Sequence, residues 1–65
     1  GDTATELAIR YDLMKSLTSK AERDSNVDMA REALDICSSI ARKDITYRDI
    51  RDCRRHLDDL VRSLE

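Results

Sequence analysis

Three tetrapeptides in this chain repeat one arrangement. Thr3-Ala4-Thr5-Glu6, Ser25-Asn26-Val27-Asp28 and Thr46-Tyr47-Arg48-Asp49 each set a hydroxyl three residues ahead of an acid. A helix leaves its first four N–H groups without partners. A Ser or Thr oxygen accepts from one of them, and an acid three positions on reaches back to another. Only Glu6 is the acid the motif prefers. The two Asp are shorter but still sit at the positive end of a helix dipole. Each tetrapeptide opens a stretch with helical apolar spacing. Three starts at nearly even intervals in 65 residues predict three helices, at about 4–22, 26–42 and 47–64.

Composition supports helix and opposes strand. The chain has no Pro, and its one Gly is Gly1, so the turn residues that hairpins need are missing. Charged residues reach 40%, yet both signs are interspersed and the apolar residues are periodic, which argues against disorder. A chain this short buries only about 60% of its unfolded surface. It therefore gains from tight packing, a partner or a crosslink. The expected domain organisation is a single three-helix bundle over 1–65.

At about 100° per residue, the second helix divides cleanly. Val27, Met29, Ala30, Ala33, Leu34, Ile36, Cys37, Ile40 and Ala41 share one half of it. In the third, Ile50, Cys53, Leu57, Leu60 and Leu64 alternate by three and four like a coiled-coil seam. The first carries Leu7, Tyr11, Met14, Leu17 and Ala21, with Ile9 and Leu13 to one side. Short links make successive helices antiparallel. The first hairpin then sets Leu7 level with Ala41, Tyr11 with Cys37 and Met14 with Leu34. The second sets Ile40 level with Ile50, Cys37 with Cys53 and Ala33 with Leu57. Small residues face large ones, as interdigitating layers require. Leu34, opposite Met14, is the expected centre. The competing arrangement is one helix running through Lys43-Asp44-Ile45. A Thr46 cap, with Ile45 packing on Ile50 as a hydrophobic staple, favours the turn. Neither link holds a Gly, so no left-handed helix end is expected.

Candidate chemistry is sparse. Cys37 and Cys53 lie on apolar faces and are expected close to each other and reduced, their thiols pushed up by burial rather than activated. One His and no adjacent Cys pair do not make a metal site. His56 borders the third helix near Asp52, Asp58 and Asp59, with no triad spacing around it. Arg48, Arg51, Arg54, Arg55 and Arg62 suggest a nucleic-acid helix, but Asp49, Asp52, Asp58 and Asp59 alternate with them and would repel phosphates. Arg48–Asp52, Arg54–Asp58, Arg55–Asp59 and Asp58–Arg62 are spaced to pair along a solvated helix. A net charge of −2 supplies no field for nucleic acid or an anionic membrane. No cofactor, metal, small-molecule substrate, nucleic acid or membrane is therefore expected. Localisation is left unknown; with no secretory signal in the sequence, the expectation is an intracellular protein if it is natural.

What remains is an excess of apolar surface. Ile9, Leu13, Met29, Ile36 and Ile40 are the candidates for a surface that meets a partner helix or a second copy of the chain. The leading expectation is a non-enzymatic helical interaction or self-association module. A computationally designed or redesigned bundle without biological activity is the alternative, since three capping motifs and a clean apolar split follow design rules. A small DNA-binding domain is a weaker third. The fold itself does not select among these.

Overall fold

A computed structural model describes residues 2–65 and is all-helical, with α1 over Thr3–Asp24, α2 over Val27–Lys43 and α3 over Ile50–Leu64. The chain forms the expected antiparallel three-helix, up-down-up bundle. Helix α2 packs against both neighbours. Tyr11 bonds to Asp49, just before α3, and Glu22 to His56 farther along it, so α1 and α3 run parallel. The bundle measures 35 × 16 × 14 Å. Its long axis is the length of α1, since 22 residues at about 1.5 Å each span roughly 33 Å.

The three helix starts are real, but each cap is displaced. Asp2, not Thr3, caps α1, its Oδ1 accepting from the Ala4 N–H at 3.1 Å. Asn26, not Ser25, caps α2, its Oδ1 accepting from the N–H groups of Asp28 and Met29 at 3.0 and 3.2 Å. Asp and Asn reach an N–H as well as Ser or Thr does, so a hydroxyl next to either is ambiguous. Ser25 instead ends α1 in the left-handed region, at φ 52°, with its N–H and that of Asn26 both returning to the Ala21 carbonyl. The chain makes this turn without glycine, at the cost of a Cβ in a crowded region.

The third start departs furthest. Thr46 caps nothing. Its N–H and hydroxyl both donate to Asp44 Oδ1, at 3.0 and 2.6 Å, closing an Asx turn directly after α2. The link therefore runs over 44–49, and α3 begins only at Ile50. Ile45 is thus too far upstream to be the staple residue, and it stays 43% exposed.

The core joins Leu7 and Met14 of α1, Ala33, Cys37, Ile40 and Ala41 of α2, and Ile50, Cys53 and Leu57 of α3. The expected rungs Leu7–Ala41, Ile40–Ile50, Cys37–Cys53 and Ala33–Leu57 are buried on both sides. Leu34 is not the centre. It is half-buried at the core's edge, while Met14, Ile40, Ile50 and Leu57 are the large side chains sealed from solvent. The reason is geometric: α2 centres its buried arc on Ala33 and Cys37, which lets both neighbours approach closely, and Leu34 falls to the flank.

Candidate functional site

Helix α1 carries apolar residues on more of its circumference than the bundle covers. Taking Met14 as its inward point, Leu17, Leu13 and Ile9 lie about 60°, 100° and 140° to one side. Tyr11, Lys15, Thr18 and Glu22 lie to the other, where Lys15 and Thr18 line a groove with α3 and Tyr11 and Glu22 bond to it. Leu17, Leu13 and Ile9 therefore turn away from α3. Leu17 packs half-buried on the core, whereas Leu13 is 51% exposed and Ile9 64%.

Helix α2 divides the same way. Arg31 reaches Glu65 at the end of α3, and Ala41 and Ser38 border Arg54 of α3. Ile36 and Met29 lie about 100° and 80° from Cys37 on the opposite side. Both are half-buried, Ile36 against the core. The hairpin ladder puts Leu13 near the level of Ile36. Four of the five expected surface residues, Ile9, Leu13, Met29 and Ile36, thus belong to one outer face of the α1–α2 hairpin, joined there by Leu17. Ile40 does not. It is fully buried in the core cluster that also holds Ile50, because it lies only about 60° from Cys37, closer to the inward direction of α2 than Ile36 or Met29.

The opposite side of α1 holds a groove of about 210 Å³ against α3. Its floor is Met14, Leu57 and Cys53, and its rim Lys15, Thr18, Asp49, Asp52 and His56. The rim is largely tied up within the fold. Asp49 Oδ1 accepts from the Tyr11 hydroxyl at 2.5 Å and lies 3.5 Å from Cys53 Sγ. The Tyr11 hydrogen bond holds the Asp49 carboxyl below the usual carboxylate range and raises the Tyr11 phenol. His56 Nε2 stands 2.8 Å from Glu22 Oε1, and the Thr18 hydroxyl donates to the Met14 carbonyl at 2.7 Å.

Both cysteines are free and buried. Burial pushes Cys37 up to about 11, and burial followed by the Asp49 contact raises Cys53. Cys37 Sγ lies 3.6 Å from the Ile50 carbonyl. A raised thiol is a poor nucleophile at neutral pH.

Sequence reasoning missed the contacts between α1 and α3. None of the four expected Arg–Asp pairs of α3 forms an ion pair among the described residues; the Arg48 guanidinium instead lies 4.8 Å from the Tyr11 ring centroid and 5.2 Å from that of Tyr47. No single parallel register of α1 on α3 points to both contacts, since Tyr11–Asp49 and Glu22–His56 are 38 and 34 residues apart in the chain. Among the described residues, no His, Cys, Asp or Glu cluster is arranged to hold a metal ion, and no helix is long and apolar enough to cross a membrane. No protein-family model, curated protein or solved structure matches the chain.

Proposed function

We propose that this chain is a small non-enzymatic helical module that associates with another protein through the outer face of its α1–α2 hairpin. The observation that carries this reading is the exposure of Ile9 and Leu13, one turn apart on α1 and continuous with half-buried Leu17 and Ile36. Single exposed apolar residues are ordinary, whereas a contiguous patch on a small domain marks a docking face. Two adjacent antiparallel helices offer a further helix a seat along their outer face, as in a four-helix bundle. The groove between α1 and α3 supports the same reading from the other side, since Asp49, His56 and Thr18 hold internal partners.

Ile9→Glu with Leu13→Glu tests the proposal cleanly, because both side chains are solvated in the free chain and their replacement leaves the core intact. Circular dichroism should be unchanged. Association of the wild type, read by sedimentation at rising concentration and by titration with amphipathic helical peptides, should be lost in the double variant, since docking would bury two unpaired charges. A wild type that stays monomeric at millimolar concentration and binds no amphipathic helix would leave the inert bundle as the better account.

A further inference from the structure

The outer face has a rim as well as an apolar stripe, and the rim has a sign. Beyond Ile9 on α1 stands Asp12, and beyond Ile36 on α2 stand Glu32 and Asp35, all three exposed. None of them forms an ion pair or a side-chain hydrogen bond among the described residues. The cations on this side are at the ends or already engaged. Arg10 pairs with Glu6 at 3.5 Å, Lys20 follows Leu17 toward the end where α2 carries Asp28, and Lys43 ends α2. The middle of the stripe, around Leu13 and Ile36, is therefore bordered by uncompensated acids on both edges.

Resting on the docking function proposed above, we infer that the occupant of this face is a basic amphipathic helix of another protein: an aliphatic stripe flanked by Lys or Arg. Its stripe lies over Leu13, Leu17, Met29 and Ile36, and its flanking cations meet Asp12 on one edge and Glu32 and Asp35 on the other. A second copy fits less well. A two-fold interface uses the same patch on both partners. Asp12, Glu32 and Asp35 of both copies would then share one rim, acid beside acid. Nor does α3 of another copy offer the stripe, because its apolar seam of Ile50, Cys53 and Leu57 is buried within its own bundle. Charge at such a rim sets partner choice and approach more than raw affinity.

The test uses two synthetic helices of about 18 residues, long enough to be helical when docked. Both carry Leu at helical spacing; one has Lys at every flanking position and the other Glu. Titration of the full chain at low salt should show the Lys helix binding at least about tenfold tighter, with the gap closing as salt rises. Leu13→Glu should abolish binding. Asp12→Lys with Glu32→Lys and Asp35→Lys should remove or reverse the preference, while Asp52→Lys with Asp59→Lys on α3 should leave it in place. Equal binding of the two helices, lost in Leu13→Glu, would overturn the charge inference but leave the docking function standing. Binding of the Lys helix that Leu13→Glu does not affect would overturn the inference as bulk attraction. A wild-type dimer abolished by Leu13→Glu would make the second copy the occupant and overturn it too. Binding of neither helix, with the chain monomeric, would overturn both.

Discussion

Tyr11 ties the α2–α3 link to α1 by three separate contacts. Its hydroxyl donates to Asp49, its ring meets Tyr47 edge-on at 5.8 Å between centroids, and Arg48 lies over its face. The hydrogen bond lowers the Asp49 pKa and raises that of Tyr11, so it works only with the acid charged and the phenol protonated. Its contribution is in place above the unfolded carboxylate value, about pH 4, and is lost as pH falls through the lower folded value of Asp49. At the other end it holds below about pH 10 and is lost as pH rises through the raised folded value of Tyr11. Tyr11→Phe keeps the ring contacts and removes only this bond. It should cost about 0.5–1 kcal/mol near neutrality and return Asp49 toward the ordinary range, both readable by urea unfolding and a carboxylate NMR titration. An unmoved Asp49 would show that the link is held by the rings alone. The core makes a separate prediction at this scale. Ile40→Ala should cost about 2–5 kcal/mol because Ile40 is sealed on all sides. Leu34→Ala should cost less than half of that. Equal losses would restore Leu34 to the centre. The sequence did not separate the two, since both belong to one broad apolar arc and only the closeness of α1 and α3 to Ala33 and Cys37 decides which edge is exposed.

At the scale of the helices, the elements were legible and their ends were not. Apolar periodicity is summed over many residues and survives local ambiguity, so α1 and α2 lie within about two residues of their expected bounds. A cap rests on one side chain, and here every expected hydroxyl has an Asp or Asn within two residues. Asp2 and Asn26 took the hydrogen bonds expected of Thr3 and Ser25, while Asp44 accepted from Thr46 itself and α3 was left without a side-chain cap. The third departure mattered most, because an Asx turn at Asp44 spends Thr46 in the link and delays α3 to Ile50. Two residues then lie in the left-handed region without being glycine: Ser25 at φ 52° and Arg48 at φ 44°. They predict opposite responses. Ser25 has no side-chain bond that the turn depends on, so Ser25→Gly should stabilise by about 0.5–1 kcal/mol in thermal unfolding. Arg48→Gly gains the same backbone relief but loses the stack on Tyr11 and Tyr47, worth about 0.5–1 kcal/mol at an exposed site for each ring, and should be neutral or destabilising. A stabilising Arg48→Gly would show that the stack contributes nothing.

For the molecule as a whole, α2 is the element both hairpins share, and this makes the fold depend on all three helices. The two antiparallel ladders were readable from spacing because each joins neighbours in the chain. The parallel α1–α3 contacts were not, since no turn sets their register and only the completed bundle brings Glu22 beside His56. The outer face was half legible: excess apolar residues could be counted, but which of them α3 would cover could not, and Ile40 went to the core while Ile9 stayed outside. The same dependence predicts that the α1–α2 hairpin does not stand alone. Removing α3 uncovers Cys37, Ile40 and Met14 and deletes Ile50 and Leu57, each of which contributes about 1.5–3 kcal/mol of burial. Their sum is comparable to the whole stability of a domain this size, at roughly 0.05–0.15 kcal/mol per residue. A fragment ending at Lys43 should therefore lose most of its helical circular dichroism and melt without a cooperative transition. Adding a separate peptide that spans 44–65 should restore both, because the missing surface is supplied by α3 and not by the link. A fragment that melts cooperatively by itself would mean that α1 and α2 form a stable pair without α3, and that α3 is an attachment to the fold rather than part of its core.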